Sequence, residues 1–161
     1  MNWVHPPAVL RPISREVQIE ARVDHVWLLV TDPQHLVQWF SDDVEMDRRV
    51  GGSLKFTWDG HGSFPGRIER LDAPHVFAFS WLRVDEASLV ETSTLVEISL
   101  EARGTGTLVR VVESGFSRLP WSDERRLDYR RENDRGWARE LAELASYASR
   151  TGRAATTTVL E

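Results

Sequence analysis

Residues 15–40 read REVQIEARVDHVWLLVTDPQHLVQWF, and this stretch decides the fold. Val17 and Ile19 alternate with charged or polar neighbours between Arg15 and Ala21, the period of two that marks a half-buried strand. Asp24 then offers an N-cap, and Val26, Trp27 and Val30 recur at helical spacing until Thr31-Asp32-Pro33 interrupts them. Pro33 suits the first turn of a second short helix, in which Leu36, Trp39 and Phe40 share one face. One strand followed by two short helices is therefore expected.

From Asp43 onward the period changes to that of strands. Leu54, Phe56 and Trp58 alternate with Lys55 and Thr57, and Asp59-Gly60 with His61-Gly62 supplies a turn. The return strand is placed at Gly66 to Leu71. After a turn at Ala73-Pro74, Phe77, Phe79 and Trp81 fall on one side of the next strand. A loop around Asp85-Glu86 leads to a strand that keeps Val96, Ile98 and Leu100 together, and Gly104-Thr105-Gly106 closes a hairpin into Val109 and Val111. Six or seven strands joined by short turns favour an antiparallel sheet. Beyond Pro120 the period returns to that of a helix, with Ser122 as N-cap and Asp123-Glu124 in the first turn, running to about Arg150. Trp137, Leu141, Leu144 and Ala148 form its apolar stripe. Between Ser122 and Arg153 eight Arg stand against seven Asp or Glu, which reads as a solvated face laced with ion pairs.

The 161 residues fit one domain at 15–150, preceded by an extended, proline-bearing arm at 1–14 and followed by a flexible tail at 151–161. A chain of this size buries roughly 70% of its unfolded surface and needs no staple. It has no Cys, which removes disulfide scaffolds, thiol nucleophiles and Cys-based metal sites. A net charge of -5 argues against a binder of nucleic acid. No apolar run approaches a membrane span and no signal peptide is recognisable, so a cytoplasmic protein without membrane insertion is expected. Seven Trp against two Tyr is the oddity of composition. Large flat apolar side chains build either a bulky core or the wall of a small-molecule site.

The order of elements resembles the helix-grip fold of the START-related superfamily, also called SRPBCC and shared with birch-pollen-allergen-like proteins. The local wording is similar to the branch named after homologues of the heat-shock-protein-90 ATPase activator. Val26-Trp27 with Thr31-Asp32-Pro33 and Trp39-Phe40, Val50-Gly51-Gly52 with Phe56, Pro74 through Trp81, Gly106-Thr107 with Ser114-Gly115-Phe116, and Gly136-Trp137 leading to Leu141 and Leu144 carry the resemblance in order. It covers about Arg15 to Arg150. The resemblance implies an α+β domain whose curved antiparallel sheet wraps a long C-terminal helix, with a cavity between them for a hydrophobic small molecule such as a lipid or polyketide.

The residues expected around that cavity are Trp39, Phe56, Trp58, Phe77, Phe79, Trp81, Val96, Val111, Glu113, Trp137 and Leu141. Two readings of the aromatic set stay open, a wall around a space and a core that fills it. Glu113 continues the inward parity of Val109 and Val111, where an unpaired carboxylate is costly. It departs from the family pattern, which often has His there. It is the one candidate for catalysis, as a general acid or base, and equally a residue that reaches solvent or an Arg. The five His show no metal-ligand spacing, and no nucleophile elbow, phosphate loop or dinucleotide glycine pattern occurs. No metal and no cofactor is expected. Three functions follow: binding of a hydrophobic small molecule; a cyclase, dehydratase or hydrolase acting on one, which the superfamily includes; and a chaperone-associated or regulatory interaction protein, which only the family name suggests. A homodimer is compatible with each.

Overall fold

The computed structural model describes residues 11–83 and 92–160, with side chains as far as Gly152. Strand β1 spans Ile13–Ile19, and helices α1 (Val23–Thr31) and α2 (Pro33–Trp39) follow it. Strands β2 (Asp43–Met46), β3 (Ser53–Trp58), β4 (Gly62–Asp72), β5 (Val76–Trp81), β6 (Thr94–Arg103) and β7 (Gly106–Ser114) come next, and helix α3 (Asp123–Leu160) ends the chain. The loop expected around Asp85-Glu86 and the first ten residues of the arm lie outside the described residues.

One antiparallel sheet of seven strands has the order β1-β7-β6-β5-β4-β3-β2. β2 to β7 form a meander, so the two helices must carry the chain from one edge of the sheet to the other. This is the helix-grip architecture that the sequence led us to expect. The cross-strand register aligns two inward rows, Glu113–Val96–Phe79–Ile68 and Thr94–Trp81–Gly66–Leu54. A β-bulge between Ile68 and Arg70 bends β4 and deepens the curve of the sheet. Gly66 stands opposite Trp81, and a Cβ there would lie 1.9 Å from the Ser80 carbonyl oxygen, so only glycine permits this approach.

Several boundaries differ from the sequence reading. β1 begins at Ile13, inside the expected arm, because Ile13 is a core residue paired with Glu113 and Arg130 donates to the carbonyls of Arg11 and Pro12. Helix α1 begins at Val23 after a cap residue, Arg22, whose side chain makes no capping bond; Asp24 sits in the first turn, where its charge still suits the helix dipole. The side-chain cap belongs to α2 instead, where Asp32 Oδ1 accepts from the Gln34 N–H at 2.9 Å. Finally α3 runs to Leu160, through the segment read as a flexible tail. A nucleated helix extends at little cost per residue, and one glycine, Gly152, subtracts only about 1 kcal/mol. Ser122 caps α3 as expected, its Oγ accepting from the Arg125 N–H.

The apolar faces of the sheet, α1, α2 and α3 bury one core that includes all of Leu54, Phe56, Phe77, Phe79, Trp81, Val96, Ile98, Val109, Val111, Trp137, Leu141 and Leu144. No helix among the described residues is long and apolar enough to cross a membrane.

Candidate functional site

An aromatic-walled cleft of about 540 Å³ opens between the β3–β5 end of the sheet and the N-terminal half of α3. Its apolar wall is made by Phe40, Trp58, Phe64, Trp81 and Trp137. The rings pack on one another: Phe40 stacks on Trp137 at 5.4 Å, Trp81 lies 5.7 Å from Trp137, and Phe64 lies 4.5 Å from Trp81. All three indole N–H groups are used inside the protein. Trp58 donates to the Phe40 carbonyl at 2.8 Å, while Trp81 and Trp137 each donate to Glu113 at 2.9 Å. The wall therefore presents ring faces and edges to the cleft, and its polar contacts must come from the rim.

That rim has two sources. His61 in the β3–β4 turn and Arg83 after β5 stand on the sheet side, and Glu132, Asn133, Arg135, Arg139 and Glu140 come from α3. Asn133, Trp137 and Glu140 recur at intervals of four and three residues, which brings them to one helix face. Gly136 lies among them, and a Cβ built there would meet nothing nearer than an Arg139 nitrogen at 3.8 Å. Glycine inside a helix costs about 1 kcal/mol relative to alanine. No steric demand explains Gly136; its effect is to leave the cleft open.

Glu113 lies beneath the wall, fully buried. Its Oε2 accepts from Trp81 Nε1, from Thr94 Oγ1 at 2.6 Å and from Asn133 Nδ2 at 3.0 Å, and its Oε1 accepts from Trp137 Nε1. Burial pushes this carboxyl up from its ordinary range and the four donors oppose the shift. It touches the cleft only through residues that line it. Nearby, burial and the Glu113 charge push the Tyr129 hydroxyl up, and that oxygen accepts from the Arg83 N–H.

Of the two carboxyls on the cleft, Glu132 is exposed and Glu140 is buried, with only 7% of the residue exposed. Burial pushes it up to about 7, against an ordinary value of 4.5; Arg139 opposes the shift, and Glu143 and Asp42 add to it. Both folded and unfolded forms hold the proton below pH 4.5, so Glu140 is neutral there with respect to stability. Between 4.5 and 7 the unfolded chain releases the proton first, and the native state loses stability until the penalty is complete above 7. Glu140→Gln is accordingly expected to match the parent in urea unfolding at pH 4 and to exceed it by roughly 1–2 kcal/mol at pH 8.

Of the residues singled out from the sequence, Trp58, Trp81 and Trp137 line the cleft. Phe56, Phe77, Phe79, Val96, Val111 and Leu141 lie in the packed core behind them, and Glu113 forms the polar node between the two layers. Trp39 is buried with its Nε1 donating to the Leu29 carbonyl, away from the cleft lining. Phe40, His61, Phe64, Arg83, Asn133, Arg135, Arg139 and Glu140 were not anticipated as a site. A larger opening of about 1330 Å³ lies toward the other end of α3, bordered by Ile19, Trp27, Leu28, Pro74, Ala145 and Ala148 among others. Among the described residues, Trp27 is the one Phe, Tyr or Trp side chain on its border, which reaches Gly152. The smaller cleft brings several rings and convergent polar groups together. No cluster of His, Asp and Glu able to hold a metal occurs among the described residues.

A curved antiparallel sheet closed over a long terminal helix, with an aromatic cleft at one end of the grip, defines a START-like domain. Residues 20–149 match the family model described as Activator of Hsp90 ATPase homolog 1-like protein, and the chain belongs to that family. Among solved structures, MLL2253 from Mesorhizobium loti is similar with a TM-score of 0.75 at 18% identity, over 88% of this chain and 98% of that one. DynU16, a protein of the dynemicin biosynthetic locus, has a TM-score of 0.70 at 22% identity, over 86% of this chain but 47% of its own. The Aha1 dimer from Colwellia psychrerythraea has a TM-score of 0.67 at 21% identity, over 83% of this chain and 92% of that one. No curated protein matches the chain.

Proposed function

We propose that this protein binds a hydrophobic small molecule in the cleft between sheet and α3. The carrying observation is the cleft itself, about 540 Å³ walled by five aromatic side chains whose indole N–H groups are all engaged within the protein. Such a wall offers contact area without demanding polar partners, and the volume suits a molecule of a few fused rings or a short lipid. The likeness to a protein of a biosynthetic locus supports a ligand from that kind of chemistry. A cyclase or dehydratase acting on the same ligand is the second reading, and Glu140, a carboxyl on the cleft that titrates near neutrality, favours it. The dimeric state of the similar Colwellia protein supports a homodimer as the assembly. A chaperone-associated role rests on the family description alone, and a cytoplasmic location on the sequence reading.

Gly136 supplies the test. Native mass spectrometry and Trp fluorescence quenching against a lipid and polyketide-like panel are expected to show one bound molecule per chain. Gly136→Leu projects a side chain into the cleft while improving helix propensity, so it is expected to keep the urea midpoint of the parent and lose at least 10-fold in affinity. A parent that refuses the whole panel, or a Gly136→Leu variant that binds as well as the parent, contradicts the proposal.

A further inference from the structure

The seam between residues 40–42 and α3 carries an attraction and a repulsion side by side. Phe40 stacks on Trp137 at 5.4 Å. One turn further along α3, Glu140 feels the charges of Glu143 on its own helix and of Asp42 across the seam, and Arg139 is the base that acts on it. The hydrogen bonds of residues 40–42 run elsewhere. The N–H groups of Phe40 and Ser41 donate to the Leu36 carbonyl, and that of Asp42 donates to the Thr57 carbonyl. The Phe40 carbonyl accepts from Trp58, the Asp42 carboxylate accepts from the Asp59 N–H, and the Ser41 hydroxyl donates to the Asp43 carbonyl. The segment thus belongs to α2 and the sheet, and among the described residues no hydrogen bond ties it to α3.

We propose that Glu140 is a proton-operated catch on this seam. With the proton on, Phe40 and Trp137 stay stacked and the cleft keeps its wall; with the proton off, residues 40–42 and α3 part and the cleft opens to water. In the shut seam an ionised Glu140 has little water, two acids acting on it, and the mostly exposed Arg139 at 3.3 Å as its counter-charge. Parting the seam rehydrates the carboxylate and separates it from Asp42. The sign follows from proton affinity. An open seam returns the carboxyl toward its ordinary 4.5, whereas burial in the shut seam holds it at about 7. The shut form binds the proton more tightly, so opening grows as pH rises from 4.5 to 7 and levels off above. Of the other charged or titratable groups around the cleft, His61 and Arg83 stand on the sheet side and Glu132 and Arg135 on α3. The proposal rests on the cleft being a ligand site only for its consequence, faster exchange of a bound molecule above neutral pH.

The seam itself is tested on ligand-free protein. Carboxyl ¹³C spectra follow the titration of Glu140, and aromatic ¹³C relaxation dispersion at Phe40 and Trp137 measures an open population that exchanges in microseconds to milliseconds. A Glu140 midpoint near 7 is expected. Between pH 5.5 and 8 the two proton affinities allow about 25-fold more opening, and a rise of about 5-fold or more is expected in the parent. Glu140→Gln is expected to keep the open population low and flat with pH, and His61→Gln to leave the rise in place. The double variant Asp42→Asn/Glu143→Gln, which keeps an acceptor oxygen for the Asp59 N–H, is expected to lower the Glu140 midpoint. No dispersion at pH 8, an open population that ignores pH, or a rise that survives Glu140→Gln or vanishes in His61→Gln overturns the proposal. So does a Glu140 midpoint near 4.5, or one that the double variant leaves unmoved. Each of these results leaves the cleft a ligand site, since that reading fails on refusal of the ligand panel and not on the behaviour of the seam.

Discussion

Glu113→Ala is expected to lower the unfolding free energy by about 4 kcal/mol or more, a large part of the 5–15 kcal/mol that holds a domain of this kind. The carboxyl is the acceptor for two indole N–H groups, one amide N–H and one hydroxyl, all buried. Its removal strands them together, and each buried donor without a partner costs about 1–3 kcal/mol. Thr94 has a fallback, since its Oγ1 also lies 3.4 Å from the Trp81 carbonyl oxygen; the indoles have none shown. Glu113→Gln keeps one acceptor oxygen but turns an amide N–H₂ toward donors, so a loss of roughly 2–3 kcal/mol is expected. Urea unfolding followed by Trp fluorescence measures both. A loss below about 1 kcal/mol for the alanine variant would mean that the network does not hold the sheet to α3.

Trp81→Ala is the second large effect, about 3–5 kcal/mol. The Trp81 ring packs against Phe40, Phe56, Trp58, Phe64, Phe79 and Trp137, so its loss opens the core directly into the cleft. Trp81→Phe keeps most of that contact and loses only the bond to Glu113, for an expected cost of about 1–2 kcal/mol. The coupling is a sharper readout than either number. Once Glu113 is alanine, Trp81→Phe has no acceptor left to strand, so its cost in that background is expected to fall; strict additivity of the two would contradict a direct bond between them.

The inward parity of the strands was plain in the sequence, because a period of two leaves no choice of face once one face is buried. It placed Trp58 and Trp81 on one surface and aimed Glu113 at the core, although it could not say that four donors would meet the carboxyl there. Those donors come from β5, β6 and α3, and their meeting depends on strand register and helix placement, which no local pattern records. The cleft was hidden for a different reason. Its rim is built from a turn residue, His61, from Arg83 beside a strand end, and from the charged half of α3, which reads by composition as a solvated face. Phe64 lies outside a return strand read from Gly66, whereas β4 begins at Gly62 and pairs Phe64 with Phe56. One local signal was available: Gly136 breaks good helix propensity for no packing reason, inside the helix face that carries Asn133, Trp137 and Glu140.

The excess of tryptophan is thus resolved into different jobs. Trp58, Trp81 and Trp137 form the cleft wall, Trp39 is buried with its N–H on the α1 backbone, Trp27 borders the opening at the other end of α3, and Trp121 packs edge-on against Tyr129 at 5.1 Å.

Because the seven indole N–H groups give separate signals in a ¹H–¹⁵N spectrum, that spectrum during titration with 2-naphthol tests the central claim most directly. Saturable shifts of Trp58, Trp81 and Trp137, with Trp27, Trp39 and Trp121 unmoved, are the predicted result. Saturable shifts confined to Trp27, or no shift in any of the three wall indoles, would contradict the claim that the cleft between sheet and α3 is where this protein holds its ligand.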